Sequence, residues 1–196
     1  MTDCISVTEK DSLSNFYRRY PKWVGEDSDG FQSDFSPHIF GPYRGDCEDI
    51  LLSISSYLRE NNYQGASICS EIPNHDVPDT MGYGQQNWWE SINFMYHADA
   101  AVFVFLEPLD SRLNDRSAQG LNSSVIAELV FWSHFFADSR AGTLVLFEGD
   151  LADSLGSLVT GVIEANGIES QQVDTNDIDT MKETILTSCM DWLCEV

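Results

Sequence analysis

The segment LNSSVIAELVFW, residues 121–132, has apolar residues on nearly every side of a helix and carries one carboxylate, Glu128. Ser124 precedes Glu128 by four residues, so the two side chains lie on the same helix face. A carboxylate among large apolar side chains can accept hydrogen bonds from a sugar diol. It can also attack or stabilise a glycosidic carbon that develops positive charge. The same spacing fits Glu128 as an ordinary helix former on an exposed stripe.

The beginning of this helix is a second candidate binding feature. Asn122, Ser123 and Ser124 all have side chains that cap helix amino termini well. A helix that begins at one of them leaves backbone N–H groups pointing toward an anionic ligand.

Positive and aromatic side chains are the other binding candidates. Arg44 can pair with a phosphate or can be a surface residue in a first helical turn. Arg112 and Arg116, in a long polar loop, are further cations in a chain that has few. Trp88 can stack on a base, although one of two adjacent helical tryptophans often belongs to the core.

Histidines and cysteines indicate no metal chemistry. The five cysteines include no C-x-x-C pair, and no histidine lies at metal-ligand spacing from them. A Ser-His-Asp triad has no supporting spacing either. We therefore expect neither a metal nor a bound cofactor.

Strand and helix patterns alternate five times from residue 36 onward. The strands are predicted at PHIFGPY, GASICS, AAVFVFLE, GTLVLFEG and IESQQV, with helical periodicity between them and a single helix over LADSLGSLVTGVIEANG. Such connections require parallel pairing, which predicts a flavodoxin-like doubly wound five-stranded sheet, order 2-1-3-4-5, with helices on both faces. Residues 1–35 are interpreted as an amino-terminal extension, with a short helix near 13–20, and 36–196 as the α/β domain.

The carboxyl ends of the strands are the expected binding edge. In such sheets ligands bind there, where the strand order reverses. The loops 41–46, 70–84, 107–121 and 148–152 meet at this edge. Glu128 belongs to the helix that follows the third loop, and so it lies near the expected site.

Acidic residues dominate the charged composition. The 32 acidic residues outnumber 10 basic ones, while 12% aromatic residues indicate a folded chain. Their dispersal favours adaptation to high salt over DNA mimicry or binding of a basic partner. Duplex nucleic acid is not expected as a partner, since phosphates require Lys and Arg. The lack of an apolar span or signal-peptide core predicts a cytoplasmic protein without membrane contact.

Several segments resemble the nucleoside 2-deoxyribosyltransferases. PHIFGPY is similar to the first strand of that family, HADAAVFVF to its Asp-led third strand, and NSSVIAEL to its D-x-G-x-x-x-E-L segment. The TIR-type NAD-cleaving domains share this core and also place a catalytic glutamate after a Ser-bearing turn. The resemblance covers roughly residues 36–150. It implies a nucleoside or NAD-like ligand and self-association that completes sites between subunits.

The resemblance also implies roles for individual residues. Glu128 matches the catalytic carboxylate that attacks the anomeric carbon and holds the sugar covalently. Asp99 matches the acid at the base of the third strand, which is expected to assist departure of the base. Gly41, Pro42 and Tyr43 match the first loop, where the backbone approaches the ligand and an aromatic ring covers it.

Departures from the family pattern bear on the reaction. Asn122 stands where the family has an aspartate, and an amide binds hydroxyls but cannot act as a base. Val125 and Ile126 replace smaller residues. These differences favour hydrolysis or binding over transfer between bases.

The leading hypothesis is an N-glycosidase or deoxyribosyltransferase-like enzyme that uses Glu128. Arg44, Trp88, Asn122 and Ser124 are then substrate-binding candidates. One alternative is a non-catalytic nucleotide-sensing module in which Glu128 only binds ribose hydroxyls. The other is a TIR-like interaction domain that assembles through surface helices.

Overall fold

A five-stranded parallel sheet forms the centre of the protein. The computed structural model describes residues 35–71, 83–109, 117–137 and 141–195. The strands are β1 (Pro37–Phe40), β2 (Ser67–Ile68), β3 (Ala100–Phe105), β4 (Gly142–Glu148) and β5 (Glu169–Val173). Their order is β2-β1-β3-β4-β5 and every pairing is parallel, which confirms the predicted topology.

Helices cover both faces of this sheet. They are α1 (Cys47–Glu60), α2 (Tyr83–His97), α3 (Ala118–Leu121), α4 (Ser123–Phe135), α5 (Leu151–Leu155), α6 (Ser157–Asn166) and α7 (Ile178–Glu195), with 3-10 turns at Cys69–Glu71 and Thr175–Asp177. Within the described ranges, none of the helices is long and apolar enough to cross a membrane.

Alternation along β3 explains why the sheet has two cores. All six residues of β3 are buried, as expected for a central parallel strand. Val102 and its alternate neighbours pack with α1 and α7, whereas Phe103 and its alternate neighbours pack with α2, α4, α5 and α6. Helix α4 therefore lies on the second face, and it brings Glu128 to that side of the sheet.

The helix predicted over LADSLGSLVTGVIEANG is wrong as a single element. Gly156 separates α5 from α6 with φ +86° and ψ 171°, a conformation that a helix interior excludes and that glycine tolerates. The helix predicted near 13–20 lies outside the described residues, as do Arg112 and Arg116.

The loop after β1 begins with a close approach between backbone and helix. A Cβ on Gly41 would lie 2.7 Å from Leu51 Cδ2 of α1, so a side chain here would require Leu51 to shift. Pro42 follows and is buried. The chain then turns at the carboxyl edge of the sheet, which orients Tyr43 toward the neighbouring loop.

Candidate active site

Glu128 is a buried carboxylate in the second turn of α4. Only 8% of its surface is exposed, so the alternative of an exposed helical stripe is wrong. Ser91, in the middle of α2, donates a hydrogen bond from Oγ to Glu128 Oε1 at 2.8 Å. Because α2 and α4 pack side by side on the same sheet face, this contact orients Glu128 between two helices.

Tyr43 joins the loops that follow β1 and β2. The backbone N–H of Cys69 donates to the Tyr43 hydroxyl oxygen at 2.9 Å. That oxygen is then occupied as an acceptor, and the phenolic proton remains as a donor. The ring is thereby held at the carboxyl edge of two adjacent strands.

Electrostatic coupling connects Tyr43 and Cys69 with Glu128. Burial raises the pKa of the Cys69 thiol to about 12, and the Glu128 and Glu90 carboxylates add to the rise. Burial also raises the pKa of Tyr43 well above its usual range, with contributions from Cys69, Glu128 and Glu48. We call Tyr43, Cys69, Glu90, Ser91 and Glu128 the Glu128 cluster.

The environment of Glu128 makes it a titratable group near neutral pH. Burial raises its pKa from 4.5 to about 7, and the hydrogen bond from Ser91 opposes part of that rise. Neutral and ionised forms are therefore both populated near pH 7. Perturbed carboxyl groups of this kind are characteristic of functional sites, where burial tunes a group for chemistry.

The raised pKa predicts that Glu128 lowers protein stability at alkaline pH. Its pKa is higher in the folded than in the unfolded chain, so its favourable contribution is fully present below pH 4.5 and is lost as pH rises through about 7. Glu128→Gln keeps a neutral side chain at all pH values. We expect the variant to exceed wild type in free energy of unfolding by about 3 kcal/mol at about pH 8.5, and by much less at about pH 5.

Urea denaturation at the two pH values measures this difference. The other acidic residues are common to both proteins, so their titration cancels in the comparison. Glu60→Gln, at the exposed end of α1, is the matched control for loss of one carboxylate. A difference between wild type and Glu128→Gln that stays constant with pH would contradict the burial argument.

Aromatic side chains border the cluster. Trp88 is three residues before Ser91 on α2, and its ring meets Phe131 edge to face with centroids 5.2 Å apart. Phe131 is three residues after Glu128 on α4. Trp88 remains 44% exposed, which leaves ring surface for stacking.

Arg44 and Ser124 have exposed positions around this region. Arg44 follows Tyr43 in the loop before α1 and is exposed. Ser124 lies in the first turn of α4, one turn before Glu128, and is exposed as well. Both are at the carboxyl edge of the sheet, outside the buried part of the cluster.

Asn122 has a structural role at the end of β3. Its side chain is fully buried, its Oδ1 accepts from Leu106 N at 3.0 Å, and its Nδ2 donates to Leu106 O and Ala118 O at 2.9 Å each. The amide thus continues the hydrogen bonding of β3 past its last residue. An ionised aspartate could not donate these bonds, which explains the asparagine at this position.

Asp99 lies outside the Glu128 cluster. It immediately precedes β3, at the amino edge of the sheet, where its Oδ2 accepts from Ser36 N at 3.0 Å. The cluster residues Tyr43 and Cys69 follow β1 and β2, at the carboxyl edge. The length of the central strand lies between Asp99 and these two residues.

Comparisons of the chain with known protein families and with curated proteins found no match. Among residues 35–71, 83–109, 117–137 and 141–195, no group of three or more His, Cys, Asp or Glu side chains is placed to hold a metal ion. The chemistry available to the cluster from described groups is therefore that of a carboxylate, a phenol, a hydroxyl and a thiol.

Sequence reasoning missed three cluster residues, Cys69, Glu90 and Ser91. Cys69 lacks metal-ligand spacing, but it directly follows β2 at the binding edge, and that position is a signal in itself. Ser91 carries no such signal, because its importance comes from the packing of α2 against α4. Helical spacing shows only that Ser91 shares a face with Trp88 and Met95.

Proposed function

We propose that the protein cleaves the N-glycosidic bond of a nucleoside or NAD-like nucleotide through Glu128. The observation that carries this proposal is a buried carboxylate at the carboxyl edge, oriented by Ser91 and with its pKa raised to about 7. An oxocarbenium-like transition state requires negative charge beside the anomeric carbon, and a buried carboxylate supplies it without solvent screening.

The proposed reaction has two steps. Ionised Glu128 attacks the anomeric carbon while the bond to the base breaks, and the base leaves with the bonding electrons. A water molecule, or a second base in a transfer reaction, then attacks the same carbon and releases Glu128. Tyr43 supports this arrangement, since its phenolic proton is available to a sugar oxygen or to the carboxylate.

Aromatic side chains near the carboxylate fit a nucleobase. Trp88 and Phe131 lie on the same pair of helices as Ser91 and Glu128. A base stacked on the exposed part of Trp88 would place its sugar toward Glu128.

The test is release of free base, followed by chromatography, from NAD and from ribonucleosides and deoxyribonucleosides. If Glu128 acts as the nucleophile, kcat/KM should rise as pH increases through about 7 and then level off, because only the ionised form attacks. A rate that falls as pH increases through this range would show that Glu128 acts as an acid, contrary to the proposal.

A non-catalytic nucleotide sensor is the second candidate function. It is favoured by the position of Asp99 at the opposite edge of the sheet, since the acid expected to protonate the leaving base is missing from the cluster. In that case Glu128 binds ribose hydroxyls only. Ligands would then raise the melting temperature without any release of base.

A further inference from the structure

A cleft lies beside β5, the last strand of the sheet. Its volume is about 370 Å³, which is within the range of ligand-binding pockets. Its lining comes from the end of β4 and from α5, α6 and β5, and no residue of the Glu128 cluster is among the described residues that line it. The cleft is therefore a feature separate from the candidate active site.

The strand side of the cleft is polar, although the neighbouring strand is apolar. Ser170 and Gln172 pair with Val145 and Phe147, so they lie on the same face of the sheet as the second core and α6. Phe147 and Ile163 supply the apolar part of the lining and are buried. The lining thus suits a segment that has both apolar and polar side chains.

β5 is also an edge of the sheet. In the described part of the chain it pairs only with β4 and ends the strand order. An edge strand presents backbone N–H and C=O groups to any extended segment that lies beside it. Because β5 contributes Ser170, Gln171 and Gln172 to the lining, the cleft runs along this strand. An extended segment can therefore pair with β5 while its side chains enter the cleft.

Three carboxylates border the cleft. Asp150, Asp153 and Glu164 contribute to its lining and are exposed. Gln172 donates from Nε2 to Asp150 Oδ1 at 2.9 Å, which holds that carboxylate beside β5. An occupant with Arg or Lys side chains would form charge-assisted hydrogen bonds here.

The chain itself contains a segment of matching chemistry. FYRRYPKW, residues 16–23, carries Arg18, Arg19 and Lys22 together with four aromatic residues, and it has no Asp or Glu. In a chain with 10 basic and 32 acidic residues, this composition is unusual. Residues 24–34, which follow, contain four acids and are unsuited to an acidic surface. Positive charge is thus concentrated in one short segment that precedes the described domain.

The segment can reach the cleft of its own molecule. Phe35, the first described residue, lies two residues before β1. β1 is three strand spacings from β5, about 15 Å across the sheet, and the length of a five-residue strand adds about 17 Å. The eleven residues 24–34 span up to about 36 Å when extended. The connection is therefore long enough for binding within one molecule.

We propose that residues 16–23 bind in this cleft of the same molecule, extended beside β5. The basic side chains then pair with Asp150, Asp153 and Glu164, and the aromatic side chains pack on the apolar part of the lining. The bound segment covers an open edge of the sheet, which otherwise is a template for pairing with another chain.

Tryptic cleavage after Arg19 tests the proposal in the 196-residue protein, because trypsin acts on the unbound segment. Asp153→Asn combined with Glu164→Gln removes two carboxylates from the cleft. We expect this variant to be cut about fivefold faster than wild type at about 0.1 M KCl, because weaker binding raises the unbound fraction. The ratio of the two rates should approach one at about 2 M KCl, since salt screens the ion pairs in wild type. Mass spectrometry identifies the cleavage site.

Glu60→Gln combined with Asp191→Asn is the matched control. It removes one Glu and one Asp, both exposed, from α1 and α7, which pack on the other face of the sheet. Its net charge equals that of the cleft variant, and it should be cut at the wild-type rate. Equal acceleration in both variants would overturn the proposal, because general attraction to an acidic surface would then explain the protection. No acceleration in the cleft variant would overturn it as well.

Hydrogen exchange locates the bound segment independently of trypsin. Arg18→Gln combined with Arg19→Gln should speed amide exchange in residues 169–173, because the strand loses its cover. Lys10→Gln combined with Arg44→Gln makes the same change in charge outside the segment and should leave this exchange unchanged. Exchange in 169–173 that is the same in the first variant as in wild type would contradict binding beside β5.

Protein concentration separates binding within one molecule from binding between copies. Binding within one molecule does not depend on concentration, so the cleavage rate per molecule should be the same at about 1 µM and about 100 µM protein. Slower cleavage at the higher concentration would show that the segment binds the cleft of a second copy, contrary to the proposal.

Discussion

Replacing Glu128 with glutamine is expected to reduce base release from a cleavable nucleoside or from NAD on the order of 10³-fold or more. The amide retains the size of the side chain and can still accept the hydrogen bond from Ser91 Oγ. It has neither negative charge nor nucleophilicity, so the variant loses an interaction made mainly in the transition state. The dissociation constant, measured by calorimetry, should change little.

Glu60→Gln is the matched control, because it makes the same chemical change at an exposed position of α1. Its base-release rate should equal that of wild type. A Glu128→Gln enzyme with nearly normal turnover would end the catalytic proposal. Loss of affinity in Glu128→Gln, with no turnover by wild type, would instead support the sensor.

Phe103→Asp is expected to abolish folding. Phe103 is fully buried in β3 between β1 and β4, stacks on Phe40 with centroids 4.8 Å apart, and meets Trp132 edge to face. An aspartate here would bury an unpaired charge at a cost of about 4 kcal/mol or more. That cost is comparable with the whole stability of a typical domain, about 5–15 kcal/mol.

Circular dichroism and thermal melting check this expectation. Ser170→Asp introduces the same residue at an exposed position of the edge strand β5, and it should melt cooperatively near the wild-type temperature. A soluble Phe103→Asp protein with a cooperative melt would contradict the central, two-sided burial of β3.

The fold was predictable because its determinants are local and repeated. Runs such as AAVFVF are apolar at every position, so a strand formed by such a run must have both of its faces buried. Connections long enough for a helix then require parallel pairing and right-handed crossovers, which leave few strand orders. The helix break at Gly156 was not predicted because the helical spacing of apolar residues continues across Gly156. The positive φ of Gly156 nevertheless ends the first helix there.

The candidate site was predictable only in part. The location of Glu128 near the carboxyl edge follows from its place in the chain after β3. The position of Asp99 was readable as well, since a residue directly before a strand lies at the amino edge of a parallel sheet. The resemblance to a family assigned Asp99 to the site, whereas the structure places it before β3, where it accepts a hydrogen bond from Ser36 N.

By itself, the sequence determined the order of strands, the helices on both faces, and the edge at which Glu128 lies, because hydrophobic periodicity and chain connectivity act along the chain. Only the tertiary structure decided that Glu128 is buried and accepts a hydrogen bond from Ser91. It also decided that the Cys69 N–H donates to Tyr43, and that the Asn122 side chain is hydrogen-bonded to Leu106 and Ala118. These contacts join residues from different elements. The packing of the helices on the sheet decides which side chains contact one another and which carboxylate is removed from solvent. Burial of that kind raises the pKa of Glu128, and periodicity along a single helix does not report it.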